Sequence, residues 1–216
     1  MPQLPESFRC FLVRKTGKDQ IETSIERRPL TELPAGEVVV RVAYSSLNYK
    51  DAMAATGHPG IVKSFPHVPG IDAAGTVVAS DVPEFAPDQE VIVTSYELGS
   101  GRWGAWAEYI RVPAEWVVPL PEGLTMKQAM IYGTAGFTAA QCVLAIQDHN
   151  ITPDQGAIVV TGATGGVGRF AVEFLANLEY QVTAVTGKAD QSDALQSLGA
   201  KDVIDRSQVD DTSNRP

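Results

Sequence analysis

A run of β-branched residues that ends in a glycine-rich segment constrains the fold of this 216-residue chain more than any other feature. Ala157–Thr161 has the composition of a buried parallel strand, and Val160–Gly168 reads VTGATGGVG. Glycine lets a backbone turn sharply and approach a ligand closely, and a helix that begins there offers N–H groups to an anion. The spacing departs from G-x-G-x-x-G, and an ordinary turn is the alternative. The order of strand, loop and helix nevertheless favours dinucleotide binding. The candidate contacts are Thr164, Gly165, Gly166, Val167 and Gly168.

Strands and helices alternate on both sides of this loop. Such alternation predicts a βαβαβ unit, which is half of a doubly wound parallel sheet. A complete fold of this kind has about three further strands. We therefore expect a C-terminally truncated fragment, whose polar end, Ser207–Pro216, is a frayed tail. The predicted elements are helices Met126–Ile131, Ala135–Asp148, Val167–Leu178 and Asp190–Leu198, and strands Ala157–Thr161, Gln181–Thr186 and Asp202–Ile204.

The end of the second predicted strand indicates which nicotinamide cofactor would bind. Sites that prefer NAD carry Asp or Glu there, bonded to the ribose 2′-hydroxyl, whereas this chain has Thr186, Gly187 and Lys188. Arg206 follows the third strand and could close on a 2′-phosphate together with Lys188. Both cations could instead be ordinary solvated surface charges. The pattern predicts NADPH rather than NADH as the cofactor.

The first half of the chain has a different pattern, with short apolar alternations separated by Gly and Pro. Many short strands at such spacing predict a barrel-like all-β domain. One loop, Ser45–Asp51, is unusually polar and carries Asn48, Tyr49, Lys50 and Asp51. These residue types suit hydrogen bonding, stacking and proton handling, although a capped helix start is the alternative. The predicted strands are Phe8–Arg14, Ile21–Arg27, Glu37–Ser45, Gly75–Ala79, Glu90–Tyr96 and Ala105–Val112.

The chain resembles the medium-chain dehydrogenase/reductase superfamily, in its zinc-free quinone oxidoreductase branch and most closely its acrylyl-CoA reductase group. The motifs that carry the resemblance are SSLNYKD (45–51), FPHVPGIDAAGTV (65–77), WGAWAEYIRV (103–112), GTAGFTAA (133–140), VTGATGGVG (160–168) and SLGAKDVIDR (197–206). The resemblance implies a GroES-like catalytic domain over residues 1–125, followed by half of a Rossmann domain over 126–216. It also implies that Tyr49 lies against the cofactor, that Asn48 and Asp51 border the substrate, and that the full-length form is a homodimer.

The resemblance further implies zinc-free hydride transfer from NADPH to the β-carbon of an α,β-unsaturated thioester. We assign Asn48 to hydrogen bonding of a carbonyl or amide, and Asp51 to orientation or proton relay. Two alternatives stay open, namely quinone reduction and, in another class, an inactive cofactor-binding fragment or structural protein. Zinc-dependent relatives place a cysteine near Asn48 and Gly-His-Glu near residues 70–72, and neither is present here. His58, His67 and His149 also lack ligand partners at suitable spacing, so we expect no metal site.

Composition excludes several other classes. A net charge of −9 disfavours nucleic acid or an anionic membrane as the main partner. The start of the chain, MPQLPESFRC, lacks the features of an export signal, and no apolar run approaches the ~20 residues of a membrane span. We therefore expect a cytoplasmic protein in which Cys10 and Cys142 are buried, reduced thiols.

Overall fold

The computed structural model describes residues 4–18 and 20–209. The chain divides into two compact units, Met1–Thr134 (the first unit) and Ala135–Pro216 (the second unit). The first unit ends nine residues after residue 125, where the sequence places the end of the first domain. The expected domain boundary at residue 125 stays a prediction. The first unit is β-rich and the second alternates helices with parallel strands, so the predicted fold class is confirmed.

Among the described residues, the first unit contains a five-stranded antiparallel sheet, a two-stranded antiparallel sheet, the short helix α1 (Tyr49–Ala55) and the start of a longer helical stretch. Along Glu90–Thr94 and Tyr109–Val112, buried residues alternate with more exposed ones, as the period-two geometry of a strand predicts. The strands are β1 (Ser7–Lys15), β2 (Ile21–Pro29), β3 (Val38–Tyr44), β4 (Asp72–Ser80), β5 (Glu90–Thr94), β6 (Tyr109–Val112) and β7 (Val117–Pro119). The larger sheet has the strand order β6-β3-β4-β5-β7, and buried valines and Ile110 contribute to its core.

The two-stranded sheet pairs β1 with β2 over all nine residues of each strand. Isolated bridges from Cys10 to Ala107 and from Val13 to His67 attach β1 to the rest of the unit. The strand predicted over Ala105–Val112 is shorter in the structure, because regular pairing begins only at Tyr109 and Ala105 and Trp106 form a bend instead.

A helical stretch, α2 (Met126–Asp148), continues from the first unit into the second. Gly133 has φ 47° and ψ −154°, a conformation that essentially only glycine adopts, so the stretch is divided there. The pieces on either side have seven and fifteen residues, in agreement with the two predicted helices. The stretch as a whole has the length and apolar composition of a membrane span. Each piece, however, is shorter than the ~20 residues that a membrane span needs.

The second unit is built on three parallel strands, β8 (Ile158–Thr161), β9 (Val182–Thr186) and β10 (Asp202–Asp205), in the order β10-β9-β8. Helix α3 (Gly166–Asn177) connects β8 to β9, and α4 (Ser192–Ser197) connects β9 to β10. A single apolar core joins the helices to the sheet and includes Val172, Leu175 and Val182. This is the predicted βαβαβ arrangement. Of the predicted tail, Ser207 and Gln208 belong to a short 3₁₀ turn that begins at Arg206, and Asp210–Pro216 lie outside the described residues.

The two cysteines differ in their environment. Cys10 is buried, as predicted, and burial raises the pKa of its thiol to about 11, against the opposing influence of nearby Arg28. Cys142 is exposed, so the prediction of two buried thiols is wrong for this residue. Its sequence neighbours are apolar, but Cys142 lies on the solvent side of α2 while Val143, the next residue, faces the core.

Candidate cofactor and substrate sites

The glycine-rich loop makes a tight turn between β8 and α3. Gly162 has φ 62°, in the left-handed region, and its carbonyl oxygen accepts a 2.8 Å hydrogen bond from the N–H of Gly165. A Cβ added at Gly168 would lie 2.4 Å from that same oxygen, so this close approach requires glycine. Gly165 is the N-cap of α3 and has no side chain to satisfy the first-turn N–H groups. The twelve-residue helix therefore presents amide donors and the positive end of its dipole at this loop.

Five of the predicted cofactor residues line one open pocket of about 520 Å³ at the carboxyl ends of the strands. The pairing of the strands explains the convergence, because Asp205 lies opposite Thr186 and places the following residue, Arg206, beside Gly187. A Cβ added at Gly187 would lie 3.5 Å from the Arg206 guanidinium carbon. The five residues are Thr164, Thr186, Gly187, Lys188 and Arg206.

Hydrogen bonds organise this pocket around Thr186, which is 5% exposed. The Thr186 hydroxyl lies 3.1 Å from that of Thr164 and accepts a 3.1 Å bond from the backbone N–H of Lys188. The lining contains two cations and no carboxylate, so the pocket suits an anionic group. A Cβ at Gly162 would meet no atom within 4 Å, so a side chain there would occupy open space beside the loop. These observations fit the phosphates of a dinucleotide.

The remaining predicted loop residues, Gly165–Gly168, line a separate and mostly apolar cavity of about 450 Å³. Thr161 and Gly162 border both cavities, so the loop lies between them. Sequence reasoning named neither residue as a contact, and it also missed Val209, which lines the larger pocket. Val209 was assigned to the polar tail, and no sequence pattern distinguishes it there.

In the first unit, a buried carboxylate organises the polar loop. Asp72 is 0% exposed, and its Oδ2 accepts hydrogen bonds from the Ser46 hydroxyl, from Asn48 Nδ2 at 2.9 Å and from the Thr134 N–H at 2.9 Å. Its Oδ1 accepts from the Thr134 hydroxyl at 2.6 Å. A Cβ at Gly133 would approach Asp72 Oδ2 to 2.8 Å, so the divided helix is fitted closely to this carboxylate. We call Ser46, Asn48, Asp72 and Thr134 the Asp72 network.

Sequence reasoning missed the role of Asp72. The available signal is a charged residue at the start of an otherwise apolar strand, IDAAGTV, because a buried charge must be hydrogen-bonded.

Asp51 is a second buried carboxylate, 0% exposed, at the start of α1. Its Oδ1 accepts from the N–H groups of Gly70 and Ile71 at 3.1 and 2.9 Å, and its Oδ2 accepts from the Asn48 N–H at 2.8 Å. Burial raises the pKa of Asp51, and these hydrogen bonds act in the opposite direction. Both carboxylate oxygens are therefore occupied by donors from the protein itself.

The side-chain amide of Asn48 is also engaged. Its Nδ2 lies 2.9 Å from Ser46 Oγ, 2.9 Å from Asp72 Oδ2 and 3.3 Å from Asp51 Oδ2. An amide nitrogen has two protons, so the Asn48 side chain has no N–H left over for a ligand. Tyr49, the next residue, is 83% exposed and makes no aromatic pair with the described residues.

Within the described residues, no group of three or more His, Cys, Asp or Glu side chains could hold a metal ion. The histidines have other roles: the His67 ring is buried and contacts Gly99 O at 3.0 Å, and the His149 ring contacts Ala145 O at 2.8 Å. His58 accepts a 3.1 Å hydrogen bond from the Gly60 N–H.

Residues 34–122 match the model of the alcohol dehydrogenase GroES-like domain. The acrylyl-CoA reductase AcuI of Ruegeria pomeroyi is 46% identical over 212 residues, which are 97% of this chain and 64% of that protein. YhfP of Bacillus subtilis, named as a quinone oxidoreductase, is 48% identical over 94% of this chain and 62% of its own length. The chain thus spans somewhat less than two thirds of these relatives.

Solved structures agree with the sequence relatives. The yhdH oxidoreductase of Salmonella enterica, in complex with NADP, superimposes with a TM-score of 0.91 at 45% identity and covers 95% of this chain and 63% of its own. B. subtilis yhfP, with NAD bound, has a TM-score of 0.91 at 46% identity and covers 95% of this chain and 62% of its own. Over nearly its whole length, the chain is thus similar to AcuI, a protein named acrylyl-CoA reductase, and to YhfP, a protein named quinone oxidoreductase.

Proposed function

We propose that this chain carries the catalytic and nucleotide-binding elements of an NADPH-dependent reductase that acts on the activated C=C bond of an α,β-unsaturated thioester. The observation that supports this most directly is the pocket at the ends of β8 to β10, which contains Lys188 and Arg206 and no carboxylate. The kinship with a protein named acrylyl-CoA reductase, 46% identical, supports the substrate class.

The pocket chemistry favours a cofactor with a 2′-phosphate. A phosphate there would accept charge-assisted hydrogen bonds from the Lys188 ammonium and the Arg206 guanidinium. Each such bond contributes about 1.5–3 kcal/mol, or roughly 10- to 100-fold in affinity. A 2′-hydroxyl would need an acceptor, and Thr186, whose hydroxyl already accepts from Lys188 N–H, is a poor substitute for a carboxylate. We therefore expect NADPH to bind more tightly than NADH.

The proposed reaction needs a hydride at the β-carbon, which the reduced nicotinamide would supply when it is bound, and a proton at the α-carbon, which comes from solvent or a side chain. We propose that Tyr49, at the exposed start of α1, lies against the nicotinamide ring. Asn48 and Asp51 then serve by orientation, because their hydrogen bonds hold the first turn of α1 to residues 70–72. Negative charge that develops on the substrate carbonyl requires other donors. The exposed Lys50 ammonium, adjacent to Tyr49, is our candidate for that contact.

The cofactor proposal is tested by thermal melts of the 216-residue chain alone, with NADPH and with NADH at equal concentration. We expect NADPH to raise the melting temperature more than NADH, and Arg206→Ala to remove most of that difference. Lys201→Ala is the matched control, since Lys201 precedes β10 at the opposite end of the strands and contacts Gln181 at 2.9 Å. Equal stabilisation by the two cofactors would contradict the assignment.

Quinone reduction is the second candidate, and the 48% identity to YhfP favours it. A quinone needs no recognition of a thioester or of CoA phosphates. Turnover of acrylyl-CoA and of a benzoquinone, each followed by loss of NADPH absorbance, separates the two activities. Consumption with the quinone alone would select the second candidate. Consumption with neither substrate, despite cofactor-induced stabilisation, would indicate a binding fragment.

A further inference from the structure

A shallow groove of about 390 Å³ in the first unit is used by neither the glycine loop nor the Asp72 network. It lies between β1, the end of β3 and the segment that precedes β6. Phe11 and Trp106 meet edge to face in it, with ring centroids 5.4 Å apart. Ile25 and Tyr44 lie in the same groove and are 75% and 46% exposed. Apolar side chains grouped on a surface in this way are typical of a binding site.

The charge beside the groove is positive, although the whole chain is acidic. Arg9 and Arg27 lie directly opposite each other on β1 and β2, an arrangement that is unfavourable for like charges. Glu108 neutralises Arg9, with Oε1 2.7 Å from its Nε and Oε2 2.8 Å from its backbone nitrogen. No ion pair to Arg27 is found within the described part of the chain. One carboxylate for two guanidinium groups leaves an excess cation at this edge.

Arg27 is nevertheless close to the groove. Arg9, which is the cross-strand partner of Arg27, lines the groove. Ile25, which lies two residues before Arg27 on the same face of β2, also lines the groove. The pKa of Glu108 is lowered mainly by the backbone hydrogen bond from Arg9 and, in smaller part, by the charge of Arg27. The apolar floor and the cationic edge therefore belong to one surface.

The other end of the groove reaches the polar loop. Ser45 lines the groove, and its hydroxyl donates a 2.7 Å hydrogen bond to the backbone carbonyl oxygen of Asp72. Ser46 and Asn48 of the Asp72 network follow immediately in the chain. A ligand whose reacting end lies at Tyr49 can thus extend an arm past Tyr44 and Trp106 toward the arginines.

We propose that this groove binds the pantetheine arm and phosphates of a CoA thioester, with the arm on the aromatic floor and a phosphate on Arg27. This inference rests on the proposed thioester reductase function, for which it identifies where the CoA part of the substrate is recognised. A simple benzoquinone has neither an extended arm nor a phosphate, so the groove favours the thioester over such a quinone as substrate.

The test is calorimetric titration of CoA into the 216-residue chain saturated with NADPH, so that the pocket of the second unit is already filled. We expect Arg27→Glu to weaken CoA binding by about tenfold or more, as loss of one charge-assisted contact predicts. Lys63→Glu makes the same charge change in the first unit at a residue that does not line the groove, and it should leave the affinity within about twofold.

Two fragments of CoA complete the design. Pantetheine lacks the phosphates and 3′,5′-ADP lacks the arm, so each should bind more weakly than CoA. Any one of three results would overturn the groove proposal. These are equal affinity for CoA and pantetheine, equal affinity for CoA and 3′,5′-ADP, and unchanged affinity of the Arg27→Glu variant for CoA. NADPH titration of the same variants separates the two proposals. If only the groove proposal is wrong, NADPH binding stays intact. If the unchanged chain does not bind NADPH, the proposed function is refuted.

Discussion

Replacement of Asp72 by alanine should destabilise the first unit far more than an ordinary surface substitution. The carboxylate accepts four hydrogen bonds, from the Ser46 hydroxyl, Asn48 Nδ2 and both donors of Thr134. The two hydroxyls can rotate toward other acceptors, and Asn48 Nδ2 keeps Ser46 Oγ and Asp51 Oδ2 within reach, but the backbone N–H of Thr134 loses its hydrogen bond to a charged acceptor. Loss of one hydrogen bond to a charged group costs about 1.5–3 kcal/mol, which is the destabilisation that we expect. For a chain of this size, each kcal/mol lowers the melting temperature by about 2–4 °C.

Tryptophan fluorescence measures this effect selectively, because all three tryptophans, Trp103, Trp106 and Trp116, belong to the first unit. Urea denaturation followed at these residues gives the change in the free energy of unfolding. Asp81→Ala is the matched control, since Asp81 directly follows β4 and is exposed, and it should change stability by less than about 0.5 kcal/mol. If the Asp72 and Asp81 variants unfold at the same urea concentration, the Asp72 network does not hold the polar loop in place.

Two further predictions concern titratable side chains. Burial lowers the pKa of His67, with the Gly99 carbonyl acting in the opposite direction, so the unfolded chain binds a proton more readily than the folded one. The stability of the first unit should therefore be constant above the unfolded pKa of about 6.5 and fall as the pH drops below it. Urea midpoints from pH 5 to 8 should show this slope in the unchanged chain and lose it in His67→Gln, and a slope retained by that variant would assign it to other groups. A maleimide should label exposed Cys142 rapidly and spare Cys10, whose thiol pKa is about 11. Mass spectrometry of the native chain would show one fast adduct, absent from Cys142→Ser, and equal labelling of both cysteines would contradict the burial of Cys10.

Local patterns predicted most of the elements. The β-branched run at Ile158–Thr161 and the glycines after it gave the strand, turn and helix in the right order, because these residue types act through backbone conformation. Gly133 divides the helical stretch where the two predicted helices left a gap. The errors arose where burial decides the outcome. Cys142 lies in an apolar segment yet faces solvent, since the side of a helix that a residue occupies depends on what packs against it.

The sequence by itself determined the alternation of elements, the glycine turn and the absence of an acidic residue from Thr186 to Lys188 at the end of β9, because each of these depends on residues that are near one another in the chain. The tertiary structure alone decided which distant residues meet. Parallel pairing of β9 and β10 brings Arg206 beside Gly187, and Asp72 joins side chains 24, 26 and 62 positions away. Neither arrangement leaves a periodic trace in the sequence. Strand register sets the first, and the requirement that a buried carboxylate be fully hydrogen-bonded sets the second.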